Sequence, residues 1–203
     1  MPAGGARLAR TALDSCAEAN THSGMTAMLV HDTRLIGNTP NLAPNVYRVG
    51  GTTPLRHALG WIATYAKSQQ GLDKLLIMCH GMAAAFHDGA ARESASDLGY
   101  GLLFCRERLT LANVNVTAIL CGLVKEIELL ACGPARTRPG AENTAADGWR
   151  FCRELAAHTN ATVIAATQTQ YYQMAWRTHQ IDFGAWEGPV MKFTPSGGAS
   201  RAQ

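Results

Sequence analysis

Short apolar runs separated by amphipathic stretches set the pattern of this chain. The runs MTAMLV at 25–30, KLLIMC at 74–79, EIELLA at 126–131 and TVIAAT at 162–167 all have strand length. The continuous apolar run at 74–79 is that expected of a strand covered on both faces in a parallel sheet. A shorter extended piece is expected at Asn45–Val49. Between the runs the apolar spacing lengthens to the helical period. In 52–70, Leu55, Leu59, Ile62 and Ala66 recur three or four apart. Thr53 is the expected N-cap of that helix, Pro54 suits its first position, and Gly71 stops it. Leu111–Leu123, with Thr110 as cap, is read as a second helix and Asp147–His158 as a third, with Trp149, Cys152, Leu155 and Ala156 inward.

Smaller pieces fill the gaps. Tyr100–Cys105 and Glu107–Leu109 predict a small hairpin, Gln168–Gln180 a loop or short helix beside the strand ends. Phe183–Trp186 and Val190–Phe193 are expected to pair as a closing hairpin around Gly188-Pro189. Strands alternating with helices predict an α/β fold, a three-layer α/β/α sandwich around a mainly parallel central sheet. The expected organisation is an N-terminal segment at 1–24, in part disordered but with a short helix possible at 7–19, one domain at 25–195, and a tail at 196–203.

Composition narrows the class. The chain has 203 residues, 47% hydrophobic and 16% charged, enough for one domain with a sizeable core. A net charge of +3 with scattered basic residues argues against nucleic acid as a partner. No apolar run approaches the ~20 residues needed to span a membrane, and the first residues lack the apolar stretch of a secretory signal. The six cysteines, Cys16, Cys79, Cys105, Cys121, Cys132 and Cys152, include no CxxC pair. That spacing disfavours a zinc ribbon and suits free thiols in a reducing cytoplasm. His31-Asp32, His57, His158 and His179 lack metal-ligand spacing and are read as surface or helix-end residues. Neither a catalytic metal nor a cofactor is expected.

Two of the apolar runs end in reactive groups. KLLIMCHG stops at His80-Gly81, and EIELLACGPA stops at Cys132, where Gly133-Pro134 turns the chain away. In an open α/β sheet, reactive groups sit beyond the carboxyl ends of the strands. If these two strands are parallel neighbours, an imidazole and a thiol emerge side by side. The imidazole can then take the proton of a thiol whose ordinary pKa is about 8.5. Strand alternation turns Cys79 and Ala131 the other way, into the core. A GxSxG or GxCxG elbow is absent, because Leu130-Ala131 precedes Cys132. The structural alternatives are a buried cysteine at 132, a backbone-satisfied histidine at 80 and an ordinary turn glycine at 81.

Strand-His-Gly, followed 52 positions later (132 minus 80) by strand-Ala-Cys-Gly, resembles the caspase-like cysteine peptidases of clan CD. Leu130 stands where caspases proper have Gln, and the bacterial CHAT-like branch is more similar. The resemblance spans roughly residues 25–195 and implies a cysteine endopeptidase with a Cys132–His80 dyad and a thioester intermediate. By the same resemblance, the N–H groups of Gly81 and Cys132 form the oxyanion hole. Substrate-binding residues are expected after the catalytic strands: Gly133, Gln168, Gln170, Tyr171 and Trp186. Tyr171, with Tyr172 and Trp176, equally suits packing within its own loop. No third residue orienting His80 is identifiable from the sequence; Asp32 and Asp88 are the candidates, and both fit solvated loop carboxylates better. The linker at 136–146, with Arg136 and Arg138, falls where caspases carry their processing linker. Implied partners are a protein or peptide substrate and a regulatory protein. The rival expectation is a catalytically silent scaffold or regulatory module of the same fold.

Overall fold

The computed structural model describes residues 25–82, 100–137 and 139–202. The segment at 1–24, Asp88 and Arg138 lie outside the described residues. Along the chain the strands are β1 (Ala27–Asp32), β2 (Asn45–Val49), β3 (Leu72–Met78), β4 (His80–Met82), β5 (Gly101–Leu103), β6 (Leu109–Thr110), β7 (Val124–Leu130), β8 (Thr162–Ala166), β9 (Gln173–Met174), β10 (Ile181–Asp182), β11 (Val190–Phe193) and β12 (Ala199–Arg201). The α-helices are α1 (Leu55–Ser68) and α2 (Gly148–Thr159).

The fold is mixed α/β around a seven-stranded sheet in the order β12-β11-β8-β7-β3-β1-β2. Its five strands from β8 to β2 run parallel, β11 runs antiparallel to β8, and β12 antiparallel to β11. Crossovers of helix length make parallel neighbours possible, since each chain must return to the same end of the sheet. The register of β3 on β7 pairs Lys74 with Glu126 and Met78 with Leu130.

The two faces of the sheet are covered differently. Met28, Val30, Leu75, Ile77, Ile127, Leu129, Val163 and Ala165 pack against Leu55, Leu59 and Ile62 of α1 and Phe151, Cys152 and Leu155 of α2. The opposite face carries Ala27, Leu29, Leu76, Met78 and Leu130, which meet Leu35 and Ala43 from loops and Ile181 from β10. Tyr172, Phe183 and Trp186 close that side. Among the described residues, then, helices lie on one face, and loops with the short strand β10 on the other. The polar positions inside the apolar runs explain the asymmetry. Lys74, Glu126 and Glu128 fall on the loop-covered face, where Lys74 Nζ sits 3.1 Å from Glu126 and 2.7 Å from Glu128.

Several expectations are corrected. Thr53 does not cap α1, because its hydroxyl accepts from the Gly50 N–H. Instead Glu107, distant in sequence, accepts from the first helical N–H, that of Leu55, at 2.7 Å. The stretch expected as a helix at Leu111–Leu123 forms only a 3₁₀ turn, Val114–Leu120. Its Asn and β-branched residues are poor α-helix formers. Val190–Phe193 pairs not with Phe183–Trp186 but with β8 and β12. The expected tail at 196–203 therefore holds an edge strand. His31 and Asp32 are not surface residues: they complete β1 and are 1% and 0% exposed.

Candidate active site

Each carboxyl end of the central parallel strands delivers one group to a common region. Met78 and Leu130 are in register, and Cys79 N–H continues the ladder to the Leu130 carbonyl at 3.2 Å. Cys79 and Ala131 pack into the helical-face core, which leaves His80 and Cys132 directed to the other side. The next step brings the backbones together. A Cβ placed on Gly81 would overlap the carbonyl oxygen of Cys132 and stand 3.1 Å from its Cα. Only glycine permits that approach. Gly133, at φ +51°, makes the turn away from Cys132 in a conformation that favours glycine, and the Ala135 N–H bonds back to the Ala166 carbonyl of β8.

Loops from the flanking strands hold the two reactive groups. His80 Nε2 lies 3.1 Å from the backbone carbonyl of Arg34, just after β1. A carbonyl only accepts, so Nε2 carries the proton and Nδ1 is left with the lone pair a base needs. The Cys132 thiol donates to the carbonyl of Gln170, just after β8, at 3.1 Å. Among the described residues, the Cys132 N–H has no partner within the protein.

Asp32 is the buried charge behind this arrangement. Its carboxylate accepts from Arg34 Nε at 2.8 Å, from the Arg34 backbone N–H at 3.2 Å and from the Cys105 N–H at 2.8 Å, and it pairs with Arg34 Nη2 at 2.6 Å. Burial pushes its pKa up, but the bonds from Arg34 and the Cys105 amide, with the Arg34 charge, outweigh that and hold it below the ordinary value. Asp32 is thus neither a solvated carboxylate nor a direct partner of His80. It clamps Arg34, whose carbonyl meets the imidazole. His31, beside it, is spent on structure. Nε2 donates to the Leu35 carbonyl at 2.9 Å, so Nδ1 accepts from Thr39 at 2.8 Å. Burial lowers its pKa and keeps it neutral.

The cysteines separate by environment. Burial pushes the thiols of Cys79, Cys105 and Cys152 up, Cys105 to about 12. Such thiols stay protonated and inert. Cys132 is half-buried and Cys121 exposed, and of these two Cys132 lies at the strand ends.

The substrate-binding residues expected from sequence scatter. Gln168 and Gly133 are neighbours at the site: a Cβ on Gly133 would be 3.4 Å from the Gln168 carbonyl. Gln170 reaches the site with its backbone, not its amide. Its side chain is 2% exposed, donating to the carbonyls of Phe183 at 2.8 Å and Ala185 at 3.1 Å and accepting from the Glu187 N–H. It staples the 171–187 excursion and is not free to line a pocket. Tyr171 is 71% exposed. Trp186 instead lines a groove of about 580 Å³ over the loop-covered face, together with Leu76, Leu130 and Phe183. The linker at 136–146 is pinned at both ends. Asp147 accepts from Thr137, the Asn143 N–H and the Arg150 N–H, and the Gly148 N–H bonds to the Arg136 carbonyl.

Sequence reasoning missed the Arg34 and Gln170 carbonyls. Backbone groups leave no trace in residue identity. No protein-family model, curated protein or solved structure matches the chain. Among the described residues no cluster of His, Cys, Asp or Glu has the makings of a metal site, and no helix is long and apolar enough to cross a membrane.

Proposed function

We propose that the protein is a cysteine endopeptidase of caspase-like type, with Cys132 as nucleophile and His80 as base. The observation that carries this reading is the meeting of Gly81 and Cys132 at the ends of two registered parallel strands. On this reading His80 Nδ1 takes the proton from Sγ, and the thiolate attacks a peptide carbonyl carbon. The oxyanion accepts from the Cys132 and Gly81 N–H groups. The C–N bond breaks as His80 returns the proton to the leaving amine, and water then hydrolyses the thioester. The three-layer form of the fold belongs to the same proposal, with the loops holding Leu35, Ala43 and Phe183 and the strand holding Ile181 standing as the third layer. So do a protein substrate, a regulatory partner and a reducing, cytoplasmic setting, the last supported by the free cysteines.

A silent scaffold of the same fold is the second reading. One observation favours it: the thiol is bonded to the Gln170 carbonyl, not to the imidazole. Catalytic bonds often align only once substrate is bound. Incubation of a proteome-derived peptide library with the protein separates the two. Cleavage that vanishes in Cys132→Ala and His80→Ala supports the peptidase. Cleavage by neither wild type nor variants supports the scaffold.

A further inference from the structure

On the imidazole side of the site lies a cavity of about 300 Å³, lined by His80, Gly81, Met82, Leu103 and Arg108. Among the described lining residues, Met82 and Leu103 supply its apolar wall and Arg108 a guanidinium. The position of Arg108 is fixed by its backbone. It adopts φ +61°, in the left-handed region. Asn113 holds it there, donating to the Arg108 carbonyl at 2.9 Å while accepting from the Thr110 N–H at 2.9 Å. The acid next to it in sequence is already committed. Glu107 pairs with Arg106 at 2.7 Å and caps α1 through Leu55. Among the described residues the Arg108 guanidinium has neither an ionic partner nor a hydrogen bond. Arg108 is half-buried, and a guanidinium left without a counter-charge among the described residues suits an anion, most favourably a carboxylate held in bidentate fashion.

The chemistry of the cut says which part of a substrate reaches this cavity. The group that protonates the leaving amine is His80, so the residue following the broken bond lies on the imidazole side. We propose that this cavity is the subsite for that residue and that Arg108 selects an aspartate or glutamate there. The inference rests on the peptidase reading. Apolar contact with Met82 and Leu103 accommodates the methylene stem, and the guanidinium takes the carboxylate.

Two arms test it. In the first, a proteome-derived peptide library is digested and the new N-termini are read by mass spectrometry. Wild type is expected to give Asp and Glu about tenfold more often than Lys and Arg, a charge-assisted pair of ordinary strength. Arg108→Gln is expected to flatten the preference and Arg108→Glu to invert it. Cys132-dependent cleavage with no acidic preference, or a preference unchanged in Arg108→Glu, overturns the inference and leaves the peptidase reading standing. The second arm needs no turnover. Binding of the peptides Glu-Ala-Ala and Lys-Ala-Ala to the Cys132→Ala variant is measured by calorimetry. About tenfold tighter binding of the acidic peptide, lost in a Cys132→Ala/Arg108→Gln double variant, supports the subsite even if no library peptide is cut. Equal affinities overturn it.

Discussion

Replacing Gly81 by alanine probes the contact on which the site is built. The added methyl would overlap the Cys132 carbonyl oxygen, a backbone atom rather than the end of a pliant side chain. An ordinary carbon–oxygen contact needs roughly 3.3 Å. Relief therefore requires the 80–82 strand or the turn at 131–133 to move by about 1 Å or more. A displacement of about 1 Å between reacting groups costs about 100-fold in rate, close to 2.7 kcal/mol of transition-state stabilisation. The same overlap is an overpacking defect, costing about 1–3 kcal/mol of stability. For a chain of this size that lowers Tm by about 2–4 °C per kcal/mol, less than the whole of a typical domain's stability. The assay is kcat/KM on a peptide found in the library digest, read beside thermal unfolding by circular dichroism. Gly81→Ala is expected to unfold cooperatively and to lose about two orders of magnitude in kcat/KM. A variant that keeps more than half its activity would refute the reasoning.

Other outcomes follow from the same packing and charge. Gly60 lies inside α1, where an added Cβ would meet nothing within 4 Å, and is the control: Gly60→Ala is expected to raise stability by about 0.5–1 kcal/mol in denaturant unfolding and leave activity unchanged. Gln170→Ala removes the donors to Phe183 and Ala185, so stability should fall by about 1–3 kcal/mol and limited proteolysis should cut first within 171–187. Asp32, Asp147 and Asp73 are all held below their ordinary value of 3.8, Asp73 at about 2 through Lys125 and Thr26. Depressed carboxylates stabilise the fold above the unfolded value, and that stabilisation is lost as pH falls through the folded one. Tm is therefore expected to fall gently below about pH 6.5, as the unfolded chain but not buried His31 takes up a proton, and more steeply between pH 4 and 2, with a shallower second drop in Asp73→Asn.

How far the fold and site were legible in the chain depended on where the information lies. The apolar runs that became β3 and β7 carry their ends in plain view, because His80-Gly81 and Cys132-Gly133-Pro134 change polarity and flexibility at once. Burial of His31 and Asp32 was not legible. Polar residues with every bond satisfied look, residue by residue, like solvated ones, and the partners Leu35, Thr39, Arg34 and Cys105 are set by the fold. The strand Ala199–Arg201 has no apolar signature, since an edge strand needs only the neighbouring β11 to pair with. The cap from Glu107 to α1 crosses 52 residues, beyond any local rule. Gln170 was singled out as chemically able, and it is, but its amide is spent within the loop.

The central claim is that His80 activates the thiol of Cys132, and timed alkylation measures this directly. Wild type and His80→Ala are exposed to iodoacetamide at pH 7, quenched at intervals and mapped by peptide mass spectrometry. The account predicts that Cys132 is modified faster than the exposed Cys121, that His80→Ala slows Cys132 about tenfold or more, and that Cys121 is unaffected. Equal rates at Cys132 and Cys121, unchanged by His80→Ala, would contradict it.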